Sequence, residues 1–256
     1  VKLLGGLGLF IYGMKLMGDG LENAAGEGLK KILEKVTKNP LIGVIVGAVV
    51  TMVIQSSSAT TVMVVGFVNA GLMNLAQAAG IIMGANVGTT VTAQLVAFKL
   101  DDIAPIFVFV GAMMVMFVKG KRRREIGSII LGFGILFVGM GTMSEAMKPL
   151  TSSPIFQDIL TTVGSHWYLG LIAGALITAV LQSSSATTAI LVALASAGTI
   201  DMKIAFPIVL GCNIGTCVTA IIASLGANRT AKKAALLHLS FNIFGTIIFL
   251  PLASYI

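Results

Sequence analysis

One seven-residue sequence occurs twice in this chain, and each copy interrupts an apolar stretch. Residues 55–61 and residues 182–188 both read Gln-Ser-Ser-Ser-Ala-Thr-Thr, 127 positions apart. A hydroxyl or amide group without a hydrogen-bond partner is costly in lipid, so these segments must be buried against protein, face water or bind a ligand. Packing of small residues between helices is the alternative, but it explains single serines better than three in a row. The repeated segment therefore favours a ligand site.

The same offset relates much of the remaining chain without any gap. Residues 84–89 read Gly-Ala-Asn-Val-Gly-Thr, and residues 211–216 read Gly-Cys-Asn-Ile-Gly-Thr. Chance does not readily produce several matching blocks at one constant spacing. The sequence therefore predicts two homologous halves of one fold, residues 1–125 and residues 126–256.

The composition is typical of a membrane protein. Of the 256 residues, 56% are hydrophobic and 11% are charged, and the mean hydropathy is +0.99. A soluble domain carries about 25% charged residues. We therefore predict an all-α, polytopic protein in the lipid bilayer of the cell inner (plasma) membrane. The net charge of +7 is expected to be a topology signal, and no nucleic-acid partner is expected.

The apolar stretches beside each repeated segment are too short to cross a membrane one by one. Residues 41–54 and 59–70 would each extend about 20 Å as helices, less than the roughly 30 Å of a hydrocarbon core. They could form one long helix with a polar middle, or a re-entrant hairpin with residues 55–58 at its tip. We predict the hairpin, because non-helical backbone at membrane depth is tolerated only when it is buried in protein or lines a cavity. Residues 167–181 and 186–197 predict a second hairpin.

Further apolar stretches are expected to cross the membrane, three in each half: residues 3–17, 75–98, 103–118, 126–143, 202–225 and 234–252. The glycines in residues 84–90 and 211–217 predict that the middle crossing of each half is a broken helix, unwound at that point. Residues 21–38 predict an amphipathic helix at the membrane surface, with a solvated loop helix as the alternative. Residues 144–166 predict a polar connection.

The basic residues agree with an inverted arrangement of the two halves. An odd number of crossings in the first half inverts the second half relative to it. Twelve of the seventeen lysines and arginines fall within residues 30–38, 119–124 and 229–233, which this scheme puts on one side. The positive-inside rule assigns that side to the cytoplasm. Counting each hairpin as two crossings gives the same parity, so the charges support inversion more than they support re-entrance.

The polar tips and the predicted breaks offer hydroxyl, amide and free backbone groups to small ions. Helix N-termini attract anions, and free carbonyl oxygens suit a small hard cation such as Na⁺. No charged residue lies in either tip or break, so a bound anion would be compensated by helix dipoles and co-bound cations. We expect no enzyme activity and no cofactor, because a nucleophilic serine needs a base, and His166 and His238 lie outside the tips. His238 is expected to hydrogen-bond Ser or Asn in its own or a neighbouring helix, with proton coupling as the alternative.

The doubled Gln-Ser-Ser-Ser-Ala-Thr-Thr segment in inverted halves resembles the type II sodium–phosphate cotransporter family, and residues 84–90, 211–217 and 238–242 are also similar to it. The resemblance covers nearly the whole chain. It implies Na⁺-driven uptake of inorganic phosphate by alternating access. It also implies that phosphate is bound by the two tips, at Gln55, Ser56, Ser57, Ser58, Gln182, Ser183, Ser184 and Ser185.

Sodium is the one metal ion expected, and its role is that of a coupling ion. The candidate residues for sodium binding or coupling are Thr60, Thr61, Asn86, Thr89, Thr187, Thr188, Asn213 and Thr216. Three competing expectations are a transporter of another small oxyanion or dicarboxylate, a channel, and a membrane scaffold or sensor. The scaffold would serve a cytoplasmic PhoU-like domain, which bacterial members of the resembled family commonly carry. A homodimer is left open.

Overall fold

The computed structural model describes residues 1–25, 39–98, 100, 102–149 and 153–251. Over these residues the chain forms α-helices joined by short connections and contains no strand, which confirms the predicted all-α fold. Most of the predicted surface helix, residues 21–38, lies outside the described residues. The helices are α1 (Lys2–Ala25), α2 (Pro40–Ile54), α3 (Ser57–Asn69), α4 (Leu75–Ala97), α5 (Ala104–Phe117), α6 (Lys121–Met147), α7 (Pro154–Ser165), α8 (Trp167–Leu181), α9 (Ser184–Ser196), α10 (Met202–Ala223) and α11 (Arg229–Phe249).

Polar residues begin several of these helices by accepting hydrogen bonds from the first turn. Asn74 and Gln77 form a reciprocal capping box at the start of α4. Asp201 caps the equivalent helix α10, and Asn228 caps α11. Each cap satisfies a backbone donor that the helix itself leaves unpaired. These side chains therefore set where the apolar helices begin.

The long helix α4 runs parallel to α2, and this fixes the direction of α3 between them. Gly43 lies beside Gly80 near the start of both helices, and Ala48 lies beside Gly88 farther along. Because residue numbers rise together along the two helices, α3 must run back from the end of α2 to the start of α4. The chain therefore forms a helical hairpin over α2 and α3, with residues 55–56 at its tip.

The second half repeats this arrangement. The bounds of α8 and α9 are those of α2 and α3 displaced by 127 residues. Gly174 lies beside Ile208, and Gly215 lies beside Ala175, so α8 and α10 are also parallel. A second hairpin, with residues 182–183 at its tip, follows from the same geometry.

Both α4 and α10 are continuous helices, so the predicted unwinding at residues 84–90 and 211–217 is wrong. The glycines permit close packing instead. A Cβ atom on Gly84 would lie 2.0 Å from the carbonyl oxygen of Val44, and one on Gly211 would lie 2.0 Å from a carbonyl oxygen of α8. Small residues at such positions let two helix backbones approach closely. The glycines therefore hold each hairpin against a long helix.

The equivalent helices α1 and α6 pack against each other in opposite directions. Gly6 lies beside Gly139, and Gly13 lies beside Gly132, so residue numbers rise along α1 as they fall along α6. Antiparallel packing of equivalent helices is the relation that inverted halves require. The predicted boundary at residues 125/126 falls near the start of α6.

Within the described residues, α6 and α10 are by themselves long and apolar enough to cross a membrane. The pair α7 and α8 would count as a third span, although the two helices meet at an angle of 109°. α5 has 14 residues, which gives a length of about 21 Å. The six predicted crossings therefore stay a prediction.

The predicted polar connection at residues 144–166 is largely helical. α6 continues through Met147, and α7 occupies most of the remainder. Ile155 and Ile159 are four positions apart, so they share one face of α7, and both are exposed. The apolar residues of this segment are spaced for a helix, a pattern that its overall polarity obscures.

Replacing Gly84 with alanine should destabilise the protein, because the added Cβ atom would overlap the Val44 carbonyl oxygen. Overpacking of this kind typically costs about 1–3 kcal/mol. The control is Gly245→Ala in α11, where no atom lies within 4 Å of the added Cβ position. Thermal unfolding in detergent should show a lower midpoint for Gly84→Ala than for the control. Equal midpoints would contradict the packing role of Gly84.

Candidate functional site

Each hairpin tip consists of one residue in the left-handed region followed by one extended residue. Gln55 has φ 59° and ψ 24°, and Gln182 has φ 54° and ψ 23°. Among the described residues, no other non-glycine residue has a positive φ. Ser56 and Ser183 follow in the extended conformation. This combination ends one helix and begins the next within two residues.

The glutamine side chains fasten each tip to the long helix beside it. Gln55 donates from Nε2 to the Met52 carbonyl, and its Oε1 accepts from the Thr92 hydroxyl at 2.9 Å. Gln182 makes the equivalent pair of bonds, with the Thr219 hydroxyl at 2.7 Å. Because an amide nitrogen carries two hydrogens, one Nε2 hydrogen of each glutamine is left for another partner. Both predicted phosphate-binding glutamines therefore also position the tip.

A pair of threonine hydroxyls joins the two arms of each hairpin. Thr51 donates to Thr60 at 2.9 Å, and Thr60 donates to the Ser56 carbonyl at 3.1 Å. Thr178 and Thr187 make the equivalent hydroxyl pair at 3.0 Å. Thr60 and Thr187, two of the predicted sodium residues, thus lie inside the hairpins.

The serines of each tip form the first turn of a helix. Ser56 caps α3 by accepting from the Ala59 N–H, and Ser183 caps α9 in the same way. The N–H groups of Ser57 and Ser58 belong to a first turn, where a helix offers no carbonyl partner. Free N–H groups at a helix N-terminus attract anions. Each tip therefore presents serine hydroxyls together with backbone donors.

The two tips line one cavity of about 320 Å³, with α1 as a further wall. Segments that lie 127 residues apart in the sequence are thereby brought into one site. All eight residues predicted to bind phosphate line this cavity: Gln55, Ser56, Ser57, Ser58, Gln182, Ser183, Ser184 and Ser185. We call it the tip cavity.

The helix α1 adds three charged side chains that no motif in the sequence assigns to the site. Lys15, Asp19 and Glu22 line the tip cavity and are exposed to solvent. Their spacing of four and three residues puts them on one helical face, which is visible in the sequence. Which helix that face meets depends on the packing of α1, and the sequence does not contain that information in a local pattern.

A second and much smaller cavity lies between α4 and α9, beside the second tip. Its volume is about 10 Å³, and it is lined by Thr89, Thr92, Ala93, Ser185 and Thr188. A cavity of about 10–15 Å³ holds one water-sized species. Thr89 and Thr188 are both predicted to take part in sodium binding or coupling, and they are thus brought together from different halves. We call this the hydroxyl cavity.

The other predicted sodium residues lie apart from the hydroxyl cavity. Thr61 is buried, and its hydroxyl has no hydrogen-bond partner among the described residues. Thr216 donates to the carbonyl of Cys212 in its own helix at 2.9 Å, and Asn213 is exposed. Because α4 and α10 are continuous, no helix break frees the carbonyl oxygens beside Asn86 or Asn213.

The side chain of Asn86 belongs to a polar network that joins α4 to α11. Its Nδ2 donates to Asn242 at 2.9 Å, and its Oδ1 lies 3.3 Å from Nε2 of His238. Asn242 also donates to the His238 carbonyl and to the Cys217 sulfur. With Asn86 Oδ1 as the acceptor, Nε2 of His238 carries the hydrogen. His238 thus hydrogen-bonds a neighbouring helix, as the sequence predicts.

Comparison with known proteins identifies the family. The profile of the Na⁺/Pi-cotransporter family matches residues 9–145 and a second time residues 138–253. The chain belongs to this family. It is a family of membrane transporters, and its profile matches the chain in two overlapping segments. No solved structure matches the chain.

Three relatives show the range of similarity. The "Uncharacterized protein YqeW" of Bacillus subtilis is 34% identical over 243 residues, which cover 94% of this chain and 78% of the relative. The "Putative inorganic phosphate export protein YjbB" of Escherichia coli K12 is 29% identical over 251 residues, covering 98% of this chain and 46% of the relative. The "Sodium-dependent phosphate transport protein 2A" of Rattus norvegicus is 23% identical over 383 residues, covering 98% of this chain and 60% of the relative. The chain thus spans less than two thirds of YjbB and of the rat protein.

Replacing Gln55 should test whether the tip needs a left-handed residue. We expect Gln55→Gly to be more stable than Gln55→Ala by about 1 kcal/mol, because only glycine adopts this conformation without steric cost. Both variants lose the same side-chain hydrogen bonds, so their difference isolates the backbone. At Ala59, within regular helix, Ala59→Gly should instead lower stability by roughly 0.5–1 kcal/mol. Thermal unfolding of the three variants in detergent measures both differences, and a more stable Gln55→Ala would contradict the argument.

Proposed function

We propose that this chain is the membrane part of a secondary active transporter that couples Na⁺ to the uptake of inorganic phosphate by alternating access. The observation that carries the proposal is the tip cavity, in which the two copies of one polar segment meet. Neither copy alone surrounds a ligand. Together they offer hydroxyl, amide and backbone donors from two sides to one small anion.

The donors of the tip cavity suit phosphate. α3 and α9 begin at the cavity, and each helix N-terminus carries the equivalent of about half a positive charge. Ser57, Ser58, Ser184 and Ser185 add hydroxyls that donate to phosphate oxygens. Hydrogen bonds to a charged group are stronger than neutral ones, so several such donors give affinity as well as orientation.

The hydroxyl cavity supports sodium as the coupling ion. Hydroxyl oxygens are suitable ligands for a hard cation, and the volume matches one small ion. Thr92 donates its hydrogen to Gln55, so its oxygen lone pairs are left for a cation. Ser185 lines both cavities, so an ion in one lies close to an anion in the other. Opposite charges at this separation bind cooperatively, and each raises the affinity of the other by the same factor.

Two of the three relatives are named for phosphate, and one of these two names states a direction, which is export. The rat relative is named for sodium-dependent phosphate transport, and the E. coli relative is named for phosphate export. We assign uptake to this chain, because an inward Na⁺ gradient drives a coupled anion inward. Transport assays with the gradient in each orientation separate uptake from export.

Removing the tip hydroxyls should weaken phosphate binding. Ser57→Ala and Ser184→Ala each delete a hydrogen bond to a charged ligand, worth about 1.5–3 kcal/mol, or roughly 10- to 100-fold in affinity. Calorimetric titration of the purified protein with phosphate in Na⁺ measures the change. Ser128→Ala in α6, outside both cavities, is the matched control and should bind as the parent does. Parent-like affinity in both tip variants would reduce the serines to packing residues.

Phosphate uptake into proteoliposomes should depend on the Na⁺ gradient and on Thr188. At constant ionic strength, replacing Na⁺ by choline should lower phosphate affinity by about 5- to 150-fold, the range of a typical coupling free energy. Thr188→Val removes one oxygen from the hydroxyl cavity and should raise the Na⁺ concentration needed for half-maximal uptake. Thr162→Val in α7 is the control, because that hydroxyl donates to the Asp158 carbonyl of its own helix and lies outside the hydroxyl cavity.

Each alternative outcome of this assay has a distinct meaning. Phosphate flux that ignores every cation gradient would indicate a channel. Sulfate or dicarboxylate uptake equal to phosphate uptake would indicate a broader anion transporter. Absence of binding and of flux would favour a scaffold for a further domain and would reject the proposed function.

A further inference from the structure

The helix α1 packs directly against the first tip, and this brings charge to a site whose tips are neutral. A Cβ atom on Gly18 would lie 3.0 Å from the Ile54 carbonyl oxygen and 3.7 Å from Cβ of Gln55. The contact fixes α1 at the end of α2. Gly18 lies within one helical turn of Lys15 and Asp19. Both side chains line the tip cavity.

We propose that Lys15 supplies the fixed positive charge that holds phosphate in the tip cavity. The inference rests on the proposed function and adds a specific anion-binding residue to it. Among the described residues that line this cavity, Lys15 is the one that carries a cationic side chain. The remaining donors there are neutral amides, hydroxyls and helix N-termini.

An anion surrounded only by neutral groups is bound at a considerable cost in desolvation. The ammonium group of lysine offsets that cost as a point charge with three donors on a flexible stem. Lys15 is exposed, so solvent and salt screen its attraction. Its contribution therefore adds to the serine hydroxyls and does not replace them.

The carboxylates of Asp19 and Glu22 line the same cavity and have the opposite effect on an anion. They repel phosphate and attract cations. The α1 wall thus carries one positive and two negative charges. The two kinds of charge predict opposite effects of neutralisation on phosphate affinity. Neutralising Lys15 must weaken phosphate binding, whereas neutralising Asp19 at saturating Na⁺ must strengthen it. A wall that acts only through packing would give the same sign for both.

The test is calorimetric titration of the whole chain with inorganic phosphate at saturating Na⁺ and two ionic strengths. Lys15→Gln should bind about 3- to 10-fold more weakly than the parent, with the larger change at low salt. Lys15→Arg keeps the charge and should bind within about two-fold of the parent. Asp19→Asn should bind about two- to five-fold more tightly. Lys203→Gln, at the start of α10 and outside the tip cavity, is the control and should match the parent.

Two results would overturn the role of Lys15. One is a Lys15→Gln variant with the affinity of the parent at both salt concentrations. The other is equal weakening by Lys15→Gln and Asp19→Asn with lowered unfolding temperatures, which would make α1 a packing wall. A parent that binds no phosphate would reject the proposed function and this inference with it. A parent that binds, beside an unchanged Lys15→Gln, rejects the inference alone.

Discussion

The reversal of the chain inside each half depends on satisfying the backbone groups where one helix ends and another begins. In lipid an unpaired N–H or C=O group costs several kcal/mol. The Gln55 N–H bonds to the Thr51 carbonyl, so the last turn of α2 is closed. Ser56 then caps α3, and the Thr51–Thr60 hydroxyl pair joins the arms. The N–H groups in the first turn of α3 have no partner within the helix. The first turn of α9 lines the same tip cavity. The helix starts that complete each tip are therefore also the source of donors for an anion.

The glycines of α4 and α10 determine how close each hairpin lies to a long helix. Because they let each hairpin lie directly against a long helix, Thr92 and Thr219 reach the tip glutamines. Thr92 has a second role, since it also lines the hydroxyl cavity together with Ser185 of the other half. One threonine thus connects the first tip, a long helix and the second hairpin. A cation held by Thr92 would act on both tips at once, which is the physical basis for coupling under the proposed function.

The all-α character and the two hairpins follow from patterns that are local or exactly repeated. The doubled segment, the short apolar stretches and the constant offset predict the two hairpins and bring the eight tip residues together. The glycines at residues 84–90 and 211–217 do not specify a helix break, because glycine spacing is the same for a break and for close helix packing. Only the neighbouring backbone distinguishes the two. Lys15 could not be assigned to the site either, because its position depends on the contact between Gly18 and the end of α2, which has no sequence signature.

The two copies of the repeated segment share one sequence and nearly one backbone but lie in different surroundings. Gln55 is 7% exposed, whereas Gln182 is open to solvent. Thr188 lines a cavity, while its equivalent Thr61 is buried, and its hydroxyl has no partner in the described part of the chain. The difference arises from the helices that follow. α11 packs on α10, on α4 and on α3 of the first hairpin, whereas the equivalent α5 packs mainly on α6. Under the proposed function, an exchange of these surroundings between the two halves would expose the first tip and bury the second, which is the change of state that alternating access requires.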